Sequence, residues 1–133
     1  MSKYNLNWYQ TELQFLEAIL LATGGEGSAP LQEILLMADA IDGTVFTLKE
    51  VEQALEKLLA AQFVSIQKNK ISLTPRFLSL YETIADTPDE KAQLGELLQN
   101  QELTTTTIDE AKAILKKYKL KNYYQQYQEQ FGG

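Results

Sequence analysis

The residue types behind most enzyme chemistry are missing from this chain, which contains no histidine and no cysteine. Their absence removes the commonest general base, the thiolate nucleophile and the two most frequent transition-metal ligands. What remains is ammonium, amide, phenol and carboxylate groups and one guanidinium. Lys49, Gln53 and Lys57, spaced four apart, have the chemistry to meet phosphates or base edges. Lys68, Asn69 and Lys70 follow as a basic tip, and Arg76 is the only arginine. Carboxylate pairs such as Glu52 and Glu56 exist, but on an outward helix face they read as solvated. No catalytic residue, metal ligand or cofactor site is expected, and the chain is not read as an enzyme.

The charge is unevenly placed. The whole chain carries 12 basic and 18 acidic residues, a net charge of −6. Residues 1–56 hold nine acids against Lys3 and Lys49, whereas no acid lies between Glu56 and Glu82. Lys57, Lys68, Lys70 and Arg76 make that zone +4. An acidic protein with one basic zone meets nucleic acid through a local face rather than through its summed field. A hydrophobic fraction of 44% in 133 residues supplies one real core. No apolar run approaches membrane-spanning length, and "MSKYNLNWYQ" has no secretory-signal pattern, so the expectation is a cytoplasmic protein.

These residues must be positioned by helices and one hairpin. Leu13, Leu16 and Leu20 recur at helical spacing, predicting a first helix over about 7–23 that stops at Gly24-Gly25. The 24–28 loop lacks the Lys-Ser/Thr of a phosphate cradle. A second helix is expected from Ser28-Ala29-Pro30, with Ser28 as cap and Leu31, Ile34, Leu35, Ala38 and Ile41 as its stripe. Asp39 and Asp42 before Gly43 read as a turn rather than a calcium loop. Thr47-Leu48-Lys49-Glu50 is a capping box that opens a third helix, with Phe46 and Val51 as its staple. Its core stripe is Leu48, Val51, Leu55, Leu58 and Leu59, and Lys49, Glu50, Glu52, Gln53, Glu56 and Lys57 are assigned to the outer face. Val64/Ile66 and Ile71/Leu73 alternate as strands around Asn69, which tolerates positive φ. Thr74-Pro75 then opens a fourth helix with Phe77, Leu80, Tyr81 and Ile84.

The order helix, helix, capped helix, strand, basic turn, strand, helix over residues 8–85 resembles the winged helix-turn-helix superfamily. "FTLKEVEQALEKLLAAQFVSIQKNKISLTPRFLSLYE", residues 46–82, carries most of that likeness. The resemblance implies a mainly α fold with a small β-hairpin, divided into a winged-helix domain (1–85) and a C-terminal helical extension (86–133). It points to helix 47–60 as a recognition helix bearing Lys49, Gln53 and Lys57, with a wing tip at Lys68, Asn69 and Lys70 and Arg76 beyond it. A DNA-binding transcriptional regulator is the implied function. Glu50, Glu52 and Glu56 lie on or beside the same helix face, where each would meet phosphate with like charge. The alternative is therefore a protein-interaction adaptor that binds no nucleic acid, since such domains serve both ends.

The extension is read as helical. Boxes at Thr87–Glu90 and Thr107–Glu110 would open two helices, with residues 101–107 as a linker between them. Ile108, Ala111, Leu115 and Tyr118 form one stripe. Leu120, Tyr124, Tyr127 and Phe131 form another out of phase with it, which predicts a break near 119–122. Five lysines from Lys112 onward interleave with tyrosines, a pattern that can stack bases but more often packs. The aromatic stripe is expected to dock on Trp8 and Tyr9, either in its own chain or in the second copy of a homodimer.

Overall fold

The computed structural model describes residues 6–131. Among these, seven helices and three short strands follow in the order α1 (Gln10–Thr23), β1 (Ser28–Ala29), α2 (Leu31–Asp42), α3 (Leu48–Ala60), β2 (Val64–Gln67), β3 (Lys70–Leu73), α4 (Pro75–Glu82), α5 (Glu90–Gln99), α6 (Thr105–Tyr118) and α7 (Leu120–Phe131). The fold is mainly helical with a small antiparallel sheet of strand order β1-β3-β2.

The third helix begins where the capping box puts it. Thr47 Oγ1 accepts from the Glu50 amide at 3.1 Å, and Glu50 Oε1 accepts from the Thr47 amide at 2.8 Å, so two orphan donors are satisfied reciprocally. Helix α2 ends at Gly43, whose φ of 73° closes a left-handed cap with its amide on the Asp39 carbonyl at 2.9 Å. Lys119 takes the same left-handed conformation, φ 61°, and turns the chain between α6 and α7. That corner is the break the two out-of-phase stripes require.

Several starts differ from expectation, the first two where a distant partner outweighs the local signal and the others where a neighbouring local contact replaces the expected box. Ser28 does not cap α2. Ser28 and Ala29 form strand β1, paired with Ser72 and Ile71 of β3, and Pro30 precedes the helix. The expected hairpin is therefore two thirds of a three-stranded sheet. Helix α1 starts at Gln10 rather than Asn7, because Trp8 is pulled away. Its indole Nε1 donates to the Gln101 carbonyl at 3.1 Å, and its own carbonyl accepts from Gln99 Nε2 at 3.2 Å. The Thr87 box does not form. The Thr87 hydroxyl donates to the Ile84 carbonyl at 2.7 Å, while the Glu90 carboxylate accepts from the Tyr81 hydroxyl. In α6 the box is Thr104/Thr107, three residues before the expected one.

A continuous apolar core runs through both halves of the chain. Phe15 meets Phe46 edge-on with ring centroids 5.4 Å apart, and Phe63 packs on Phe77 at 5.1 Å. Ile108, Ala111 and Leu115 of α6 and Leu120, Tyr124 and Tyr127 of α7 belong to the same cluster. Helix α6 lies against α3, and α7 against α2 and α3. The Tyr124 hydroxyl donates to the Phe46 carbonyl at 2.5 Å, fixing α7 beside the entry to α3. The aromatic stripe thus docks within its own chain, but on α2 and α3 rather than on Trp8 and Tyr9. Trp8 lies against α5 instead. The Phe131 side chain lies outside the described residues.

Candidate functional site

Helix α3 carries the residues with the best chemistry for nucleic acid, so its surroundings decide what they can do. Ala54 through Leu59 are six consecutive buried residues. A helix with one solvated face cannot bury six in a row; burial all round means that it is covered on both sides. Helix α1 covers one side of α3 and α6 the other.

Lys57 is not on an outer face. It is 1% exposed, its Nζ lies 3.0 Å from Glu12 Oε1, and the ammonium sits over the Tyr9 ring at 4.6 Å. The same carboxylate oxygen accepts the Tyr9 amide at 2.7 Å. Charge, ring and backbone donor form a closed knot in the α1–α3 seam, in keeping with the rule that a buried charge must be paired. Lys57 is therefore unavailable to a phosphate. Glu56 is buried as well, at 8% exposure, with both carboxylate oxygens accepting from Lys112 Nζ of α6 at 3.0–3.1 Å. Burial pushes the Glu56 carboxyl above its ordinary range. The hydrogen bond and charge of Lys112 pull it back, and Glu52 nearby pushes it up again. Of the three carboxylates expected to repel phosphate, Glu56 is thus held in an ion pair with a partly exposed Lys112, while Glu52 stays exposed.

The rest of the candidate set divides. Lys49 and Glu52 are exposed and Gln53 is half-buried. Lys68, Asn69 and Lys70 are exposed at the hairpin tip, where Lys68 and Asn69 both hold positive φ (49° and 66°). Arg76 is occupied by the fold: Nε donates to the Ala61 carbonyl at 3.2 Å, a guanidinium nitrogen donates to Gln101 Oε1 at 2.6 Å, and the group lies 5.8 Å from the Phe63 ring centroid. It clamps the end of α3 to the chain after α5. The structure thus leaves Lys49, Glu52 and Gln53 together on α3 and the hairpin lysines exposed at their turn, and it withdraws Lys57 and Arg76 into the fold.

Two concavities flank α6, neither visible in any local motif. One, of about 380 Å³, lies among Glu52, Glu56, Lys112, Lys116, Lys119 and Lys121. The other is a groove of about 420 Å³ between β2 and α6, with Val64, Ile66, Leu59, Ala60, Ala111 and Ile114 on its apolar part and polar side chains, Glu110 among them, on the rest. Ile114 is 42% exposed along its wall. Among the described residues no cluster of three or more acidic side chains is placed to hold a metal ion, and no helix is long and apolar enough to cross a membrane. The chain matches no protein-family model, no curated protein and no solved structure.

Proposed function

We propose that this protein is an interaction adaptor built on a winged helix-turn-helix core, acting on protein partners and not reading DNA through α3. Support for the core is the succession α1, α2, capped α3, hairpin, α4 over residues 8–85. The observation that carries the adaptor reading is the covering of α3. Its second half is enclosed by α1 and α6, and Lys57, one of its two lysines, is neutralised by Glu12. A recognition helix must lay side chains against base edges, and here α6 and α7 occupy much of that approach. The regulator reading keeps the exposed wing lysines Lys68 and Lys70 and Lys49 on α3, too few phosphate contacts to offset a net charge of −6.

The test is fluorescence anisotropy of mixed genomic DNA fragments against the full chain, titrated in salt. The expected outcome is no saturable binding even at about 20 mM salt. Micromolar binding whose logarithm falls with log salt at a slope of several units would restore the DNA reading, because that slope counts displaced counterions.

A further inference from the structure

Strand β2 is the longer of the two edge strands of the sheet, since the order β1-β3-β2 leaves it and the two-residue β1 one neighbour each. The register fixes which of its backbone groups are free. Gln67 pairs with Lys70 across the two-residue turn, Ser65 pairs with Ser72, and the Thr74 amide donates to the Phe63 carbonyl at 3.0 Å. In an antiparallel ladder the hydrogen-bonded pairs alternate with pairs that exchange none. Phe63, Ser65 and Gln67 therefore bond inward to β3 and its continuation. Val64 and Ile66 sit in the non-bonded pairs, and their N–H and C=O groups point to the open side, where no segment of the described chain pairs with them. That open side is the 420 Å³ groove whose far wall is α6.

An edge strand beside a trough of mixed apolar and polar lining fits one kind of occupant. We propose that this groove takes an extended segment of a partner protein, which adds as a fourth strand on β2 through the backbone groups of Ile66 and Val64. Alternate apolar side chains of that segment would lie over Ala60, Ala111 and Ile114. Such strand addition draws affinity from main-chain hydrogen bonds and selectivity from side-chain pockets. Charge complementarity sets the sequence class. Beyond Gln67 the hairpin end of the groove is flanked by exposed Lys68 and Lys70, whereas Glu110 of α6 lies in the lining itself, so the segment should carry acidic residues past the hairpin end and none against α6. A second copy of this chain does not fit as occupant, because its own β2 has α6 standing on the open side and two such edges would bring helix against helix. The proposal rests on the adaptor reading and deepens it.

The experiment is selection of random dodecapeptides displayed on phage against the full chain, followed by amide chemical-shift mapping with synthetic versions of the enriched peptides. The expected result is a set of alternating apolar sequences with acidic residues at one end, whose binding slows hydrogen exchange at the Val64 and Ile66 amides. Ile66→Pro deletes an outward donor at an edge position where proline is tolerated. It should weaken those peptides about tenfold, the size expected when one hydrogen bond is lost and its partner is left unpaired. Lys68→Glu with Lys70→Glu, at an exposed turn and harmless to folding, should select basic in place of acidic ends. Absence of any enriched peptide overturns the proposal. So do peptides that footprint on another face, although those would leave the adaptor reading intact, whereas salt-dependent DNA binding would sink that reading itself.

Discussion

Lys57 and Glu12 each lie where a lone charge would be untenable, at a side-chain exposure of 1–2%. Breaking one half of such a pair typically costs about 3–5 kcal/mol, while replacing both by neutral groups of similar shape is close to neutral. Lys57→Ala should therefore lose that amount in urea unfolding. Lys57→Met with Glu12→Gln should recover most of it, because the side-chain carbonyl of the introduced glutamine can still accept the Tyr9 amide. An exposed, phosphate-seeking Lys57 would give a loss near zero in the single variant. Glu56 adds a pH signature. Its folded pKa is raised above the ordinary 4.5, so at pH values just above 4.5 the native state holds a proton that the unfolded state has lost. Stability should therefore fall as pH rises through that window. Glu56→Gln should flatten the fall in a urea series from pH 4 to 7, and Glu52→Gln, which removes a neighbouring charge that helps to raise the Glu56 carboxyl, should only reduce it. Neither Lys57 nor Glu56 could be placed from sequence, because their partners stand 45 and 56 residues away. Read by helical period alone, both residues belong to the polar face.

At the scale of elements, legibility followed the range of the deciding contact. The α3 start was readable because Thr47 and Glu50 close their box within one turn. Strand β1 was not, since Ser28 and Ala29 carry no strand pattern of their own and are extended only by pairing with Ser72 and Ile71. Four consecutive threonines, 104–107, each offer a cap, and residue types alone do not say which is used. The α6–α7 break was readable, because the stripes through Leu115 and Leu120 cannot share one straight helix. The hairpin turn yields a prediction. Lys68 and Asn69 both hold left-handed angles, which Asn-Gly satisfies better than Lys-Asn. Lys68→Asn with Asn69→Gly should raise stability by about 1 kcal/mol, read as a later urea midpoint with an unchanged slope. Tyr124→Phe works the other way. It strips the buried Phe46 carbonyl of its hydroxyl donor and should cost about 1–3 kcal/mol.

The whole molecule is more closed than its sequence suggests. Residues 8–85 and the extension share one core, and Leu120, Tyr124 and Tyr127, the stripe expected to seek a second copy, are buried on α2 and α3. That closure follows from long-range pairing: Lys112 to Glu56, Tyr124 to the Phe46 carbonyl, and Ile108, Ala111 and Leu115 against α3. Composition predicts that helices of this polarity must dock; only the folded chain says where. The functional account stands on this covering of α3, and hydrogen–deuterium exchange resolved by residue tests it most directly. If α6 is part of the cooperative core, the central amides of α3 (residues 54–59) and of α6 (residues 109–115) should exchange only through global unfolding, with opening free energies equal to the stability measured in urea. Exchange of α6 within seconds, beside an α3 that remains protected, would mean that α6 lifts freely from α3 and would contradict the account.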